Sequence, residues 1–192
     1  MAQLHLISDA WRFPLGFQRH AWDREGLIGD KPFWGRFWTI SDCSQEELEI
    51  LVRARTRVGQ ALDAHIAAGG DYGLIHADLV RENVLVKDGQ LRMIDFDDSG
   101  HGFRMFDIAT ALIKNRREAH YEALRAALIT GYESLRPLSL RELDALPFFL
   151  VLRALSYLGW AEARKHEPGM TERRQRFKTE ALELARAYLA RE

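Results

Sequence analysis

A chain of 192 residues that is 47% apolar and 10% aromatic can bury a substantial core of its own. Its 27 basic and 28 acidic residues leave a net charge of −1, so no basic excess argues for nucleic acid or an anionic membrane surface as a partner. The one cysteine, Cys43, has no disulfide partner and no companion at metal-ligand spacing, which fits a reducing compartment, the cytoplasm, and excludes a cysteine zinc site.

The opening, MAQLHLISDAW, has no cationic lead, and no later stretch is expected to approach the ~18 apolar residues of a membrane span. Met1 to Ala10 reads as a short helix with Leu4 and Ile7 on its apolar side. It has no capping residue, so it reads as the tail of a longer helix whose start lies upstream. Residues 11–43 are rich in Trp, Phe, Gly and Pro and follow no period, which predicts an irregular, aromatic-packed excursion with one or two short helices. Within it, Trp22, Trp34 and Trp38 are candidates either for a substrate-cleft wall or, more commonly for tryptophan, for core and loop anchors.

Ser44 followed by Glu47 is a capping box. It opens a helix to about Ala68, with Leu48, Leu51, Val52, Arg55, Val58, Leu62 and Ile66 on one face and Gly69-Gly70 as its stop. Three strand-like pieces follow, Gly73 to Ile75, Val84 to Val86 and Leu91 to Ile94, the last two joined by a tight Lys87-Asp88-Gly89-Gln90 turn. Ser99-Gly100-His101-Gly102 reads as a turn, and Arg104 as a surface residue within reach of a loop carboxylate. Helices are predicted over Phe106 to Lys114, Glu118 to Tyr132, Ser139 to about Lys165 and Met170 to Leu189, with a kink or break where Pro147 interrupts the third of them. No repeat or linker is evident, so the expectation is one domain over 1–192, α+β and predominantly helical, with a small inserted β-hairpin.

The chemistry concentrates between Tyr72 and Asp107. A polar loop carrying His76, Asp78 and Asn83 lies between two strands, and the hairpin after it ends on Asp95. An Asp in a loop, an Asn a few residues on and an Asp leaving a hairpin are the groups that orient a nucleophilic hydroxyl and hold magnesium against a triphosphate. Each also has a plain structural reading: Asp78 as a loop cap, Leu85 and Ile94 as strand core, Lys87 as a solvated lysine.

Read as His76-Ala77-Asp78-Leu79-Val80-Arg81-Glu82-Asn83 and Asp95-Phe96-Asp97-Asp98, these segments resemble the catalytic and metal-binding segments of the protein-kinase-like superfamily, H-R-D-L-x-x-x-N and D-F-G. His-Ala-Asp and Asp-Phe-Asp-Asp resemble more narrowly its aminoglycoside and choline phosphotransferase branch, which includes homoserine-kinase-like small-molecule kinases. The resemblance implies ATP and Mg2+ as cofactors and a small-molecule hydroxyl as acceptor. It implies Asp78 as catalytic base, and Asn83 and Asp95 as metal ligands, with Asp97 reaching a second metal or the substrate. Leu85 and Ile94 would form the floor under adenine, while His76 and Asp107 would brace the loops.

The resemblance covers only the family's C-terminal lobe. The glycine-rich loop, the strand lysine and its glutamate partner, which belong to a β-rich N-terminal lobe, are not found here, and Lys31, the only lysine before Tyr72, sits in a turn. Two classes of function follow: a small-molecule kinase read from an internal Met1, or a catalytically inactive lobe serving as a binding module. In either case the missing lobe, or self-association, would cover the exposed apolar patch around Leu85 and Ile94.

Overall fold

In the computed structural model, which describes residues 1–191, the chain runs α1 (Ala2–Ala10), β1 (Ala21–Trp22), α2 (Arg24–Ile28), α3 (Gln45–Ala67), β2 (Tyr72–Ile75), β3 (Val84–Lys87), β4 (Gln90–Met93), β5 (Gly100–Phe103), α4 (Arg104–Ile113), α5 (Tyr121–Glu133), α6 (Leu140–Ala163) and α7 (Met170–Leu189). It divides into two compact units: Met1–Trp22 with Gly70–Leu146, and Asp23–Gly69 with the chain from Pro147 onward.

The first unit holds both sheets. β5 lies between β1, to which it is parallel, and β2, to which it is antiparallel with Tyr72 opposite Phe103 and Ile75 opposite Gly100. β5 was expected to be a turn, because Gly100 and Gly102 read as turn residues. They are strand residues that the packing requires to be small: a Cβ on Gly100 would lie 2.5 Å from the His20 carbonyl oxygen, and one on Gly102 would lie 2.5 Å from Ile75 Cδ1. Gly100→Ala should therefore push β1 off β5 and destabilise the protein by ~2 kcal/mol, the usual cost of overpacking, which urea denaturation would read. The second sheet is the β3–β4 hairpin, with Lys87 opposite Gln90. Its connecting Asp88 and Gly89 both have positive φ, 51° and 73°, as a two-residue type I′ connection demands.

α1 does not bury the side expected of it. Ile7 is 62% exposed, while Ala2, His5 and Ser8, spaced three apart, face inward. That face is polar because it serves neighbours: Ser8 Oγ donates to the Leu74 carbonyl of β2, and His5 reaches α4 and α5. Arg104 is likewise a buried residue and no surface one. Its guanidinium donates to the Leu74 carbonyl and to Asp9, and Arg136 ties Asp9 to Asp71.

In the second unit the Ser44–Glu47 capping box forms in full, with Glu47 N–H donating to Ser44 Oγ (3.2 Å) and Ser44 N–H donating to Glu47 Oε2 (2.9 Å). The buried face of α3 is Leu51, Ala54, Val58, Leu62 and His65, rotated from the predicted stripe so that Val52 and Ile66 are exposed. Trp34 and Trp38 act as anchors, carrying the guanidinium groups of Arg153 (4.5 Å) and Arg55 (3.8 Å) on their faces. α6 runs unbroken through Pro147, so of the kink or break expected there the break does not occur. By length and composition it is also apolar enough to cross a membrane, which the sequence reading did not anticipate, but 78% of its most apolar window is buried, as in a core helix.

Candidate active site

β2 ends at Ile75, and the next three residues turn sharply: Ala77 has φ 65°, a left-handed conformation that costs a residue with a Cβ about 1–2 kcal/mol. The carboxylate of Asp107 holds it there. Asp107 lies in the first turn of α4 and is fully buried; its Oδ2 accepts the His76 N–H (2.9 Å) and its Oδ1 the Ala77 N–H (2.7 Å). His5 donates to the same Oδ2 from Nε2 (3.0 Å), and its Nδ1 meets the Tyr132 hydroxyl (2.8 Å). Burial pushes the Asp107 carboxyl upward, but the His5 hydrogen bond and charge, together with the two backbone N–H groups, outweigh it and hold the group below the ordinary carboxylate range.

His76 joins the two loops of the site. Its Nδ1 accepts the Asp78 N–H (3.3 Å) and its Nε2 donates to the Ile94 carbonyl (3.0 Å), so the network assigns the neutral Nε2–H tautomer. Its ring also lies 4.5 Å from that of Phe96. Asp78 stands at the entrance of the loop, and Asn83 closes it at the end of a short 3₁₀ turn, Arg81–Asn83. Asn83 Nδ2 donates both to the Asp78 carbonyl (2.9 Å) and to Asp78 Oδ2 (3.1 Å). That orientation leaves Asn83 Oδ1 without a partner among the described residues, an open hard-oxygen donor.

Asp95 arrives at the same end of the hairpin. Val84 pairs with Met93, and the Ile94 N–H donates to the Asn83 carbonyl (3.0 Å), so Asp95 is the next residue past Asn83's cross-strand neighbour. It too has a left-handed backbone, φ 64°, and its exposed carboxylate takes no hydrogen bond or ion pair among the described residues. The same is true of the Asp97 carboxylate, while Asp98 is half-buried. Leu85 and Ile94, the proposed adenine floor, are 49% and 41% exposed, and Val86 and Leu91 on the same hairpin are 71% exposed.

The donor set fits a hard divalent cation. Asn83 Oδ1 and the Asp95 carboxylate are uncommitted oxygens at one end of one hairpin, and magnesium uses one or two such protein groups with phosphate and water oxygens completing its shell. A site of this kind needs no cage of three or more His, Cys, Asp or Glu residues, and there is none among the described residues.

Sequence reasoning missed the residues that hold these loops. His5 and Tyr132 orient Asp107, and a polar histidine on the inward face of a helix that also bears Leu4 and Ile7 was the available signal. Arg19, His20 and Trp22, placed in an irregular excursion, instead grip the carbonyls that follow Asp95. Arg19 Nε donates to Ser99 (2.7 Å) and its Nη2 to Phe96 (2.6 Å) and Asp97 (3.2 Å), while His20 Nε2 (2.9 Å) and Trp22 Nε1 (2.8 Å) both reach Asp98. Trp22 is wholly buried against Phe106, which makes it a core anchor and no cleft wall.

Comparison with known proteins agrees with this architecture. The chain is 34% identical to a homoserine kinase of Neisseria meningitidis over 123 residues, which is 59% of this chain and 39% of that protein. It is 36% identical to a homoserine kinase of Gluconobacter oxydans over 132 residues, 65% of this chain and 42% of that protein. Among solved structures, a microcompartment-associated aminopropanol kinase superposes on 98% of this chain and 59% of its own, with a TM-score of 0.88 and 32% identity. An amicoumacin kinase solved with AMP-PNP and Ca2+ superposes with a TM-score of 0.70 at 19% identity, over 95% of this chain and 56% of its own, a likeness of fold. The chain thus spans less than half the length of these two curated relatives. Its α+β, helix-rich architecture is that of the C-terminal lobe of protein-kinase-like folds. Residues 1–145 match the model of the phosphotransferase enzyme family, and the chain belongs to that family.

Proposed function

We propose that this chain supplies the catalytic lobe of an ATP-dependent phosphotransferase whose acceptor is the hydroxyl of a small amino alcohol or hydroxy amino acid. The observation that carries it is the Asp78–Asn83 pair. One carboxylate is tied by hydrogen bond to an amide whose oxygen is thereby turned free, on a loop that the buried Asp107 locks from behind. In this reading Asp78 accepts and orients the proton of the attacking hydroxyl. Asn83 Oδ1 and Asp95 would hold magnesium, with Asp97 available on the same loop, and the bound metal would neutralise charge on the transferring phosphate. The exposed Leu85 and Ile94 would lie under the adenine ring, covered by a further lobe of the kind the longer relatives have room for. The acceptor class is drawn from the homoserine and aminopropanol kinases to which the chain is similar.

The test is phosphate transfer from magnesium ATP to a panel of homoserine, aminopropanol, choline and sugars by the full-length protein. Turnover confined to the amino-bearing alcohols supports the proposal, and none with any hydroxyl defeats it. Asp95→Asn should weaken magnesium-dependent nucleotide binding by about tenfold or more, since it removes the only full charge among the two principal ligands, and calorimetry with and without magnesium would measure it. Unchanged binding would remove Asp95 from the metal site.

A further inference from the structure

The β3–β4 pairing ends at Met93, the Ile94 N–H still reaches Asn83, and the Ser99 N–H donates to the Phe96 carbonyl (3.0 Å), closing a turn. Asp95 enters that turn in a left-handed conformation that its side chain disfavours. What fixes the loop is outside it: the carbonyls of Phe96, Asp97, Asp98 and Ser99 all accept hydrogen bonds from side chains of residues 19–22. Arg19 alone supplies three of those bonds. Its Nε and Nη2 reach Ser99 and Phe96, the two residues joined by the turn, and so span the turn from outside. Although exposed, Arg19 has no carboxylate partner among the described residues, so its charge is held beside the Asp95–Asp98 acids entirely by carbonyls.

We propose that Arg19 is a positioning residue: by clamping the carbonyls of Phe96, Asp97 and Ser99 it holds the Asp95–Ser99 loop in the conformation that presents Asp95 to a metal–nucleotide, an assignment that rests on the phosphotransfer reading above. Both the fork and the charge of the guanidinium matter. A lysine retains the charge but, as a single point of donation, cannot span Phe96 and Ser99.

The experiment compares the full-length protein with Arg19→Ala, Arg19→Lys and Arg19→Gln, using Lys87→Ala as a charge control on the same hairpin. Amide hydrogen exchange is followed at residues 95–101, and affinity for Mn2+ with a non-hydrolysable ATP analogue is followed by electron paramagnetic resonance. The expected result is exchange accelerated roughly tenfold at 95–101 alone, with Mn2+–nucleotide affinity reduced roughly tenfold in Arg19→Ala, the scale of one lost charge-assisted bond. Arg19→Lys and Arg19→Gln should each recover little, since neither has two donor nitrogens to span Phe96 and Ser99, and Lys87→Ala should match the parent. Unchanged exchange in the loop, or faster exchange with unchanged Mn2+–nucleotide affinity, overturns the proposal, as does acceleration spread across all the strands. A parent protein that takes up no Mn2+–nucleotide defeats the phosphotransfer reading itself, and this assignment with it; a parent that binds while the Arg19 variants bind equally well defeats this assignment alone.

Discussion

Asp78→Asn is expected to cut turnover in phosphate transfer by ~10²-fold or more while leaving magnesium–nucleotide affinity close to that of the parent, since general-base assistance is of that order. An amide at this position still offers an oxygen to Asn83 Nδ2, so the bond that turns Asn83 Oδ1 outward survives the substitution. The Asp78 carbonyl also keeps its own bond from Asn83, and Asp107 still holds the loop from behind. What is lost is the ability to take a proton. A hundredfold loss corresponds to about 2.7 kcal/mol of transition-state stabilisation. Steady-state kinetics with calorimetric nucleotide titration separates the two effects. A fall in affinity matching the fall in turnover would show that Asp78 works through the metal site, and a loss below ~10-fold would remove it as the base. Asp78→Ala should do worse on both measures, because it also releases the Asn83 side chain.

How far the sequence carried this picture depends on which kind of signal each residue gives. Ser44 and Glu47 announce a helix start by local chemistry, and the reciprocal hydrogen bonds form as that chemistry demands. Asp88-Gly89 announces a two-residue turn in the same way, because few residues tolerate two consecutive positive φ values. The order of polar residues from His76 to Asp107 is likewise local, and it places Asp78 and Asn83 on one loop and Asp95 at the end of the adjoining hairpin.

The misses are all cases in which a distant partner decides. Gly100 and Gly102 carry the composition of a turn, yet they form a strand in which the His20 carbonyl beside Gly100 and the Ile75 side chain beside Gly102 leave no room for a larger residue. Ile66 had the hydropathy for the buried face of α3, but His65 took that place, packing its ring against Phe148 and Phe149, more than eighty residues along the chain. Pro147 should weaken a helix at its own position, but α6 continues because most of its side chains are buried around it. His5 and Arg19 resemble any polar residues of an N-terminal segment. Their roles come from Asp107, 102 positions away, and Ser99, 80 positions away, respectively, and no periodicity within residues 1–22 encodes either partner.

The second large effect belongs to Asp107. Its carboxylate serves three donors, the N–H groups of His76 and Ala77 and the Nε2 of His5, and no water-exposed surface remains to it. Asp107→Asn supplies one acceptor oxygen where there were two, so even in its better orientation the amide nitrogen must face the Ala77 N–H and leave that buried donor unpaired. The loss of one such bond together with weakening of the two that were charge-assisted predicts a destabilisation of ~3 kcal/mol or more, measurable by urea denaturation. The pH dependence follows from the direction of the titration. Because the folded state holds this carboxyl below its ordinary value, and the unfolded chain does not, its contribution is complete above the unfolded carboxyl value of about 4 and fades as pH falls through the lower folded value. The stability gap between parent and Asp107→Asn should therefore be constant from pH 7 down to about 5 and narrow below about 4; a gap that widened in acid would contradict the depressed carboxyl. The left-handed Ala77 offers a second check. If Asp107 is what holds that residue at φ 65°, then Ala77→Gly, which removes the steric penalty, should restore about 1 kcal/mol in the Asp107→Asn background, and an Asp107→Asn protein that Ala77→Gly further destabilises would show that the turn is held by something else.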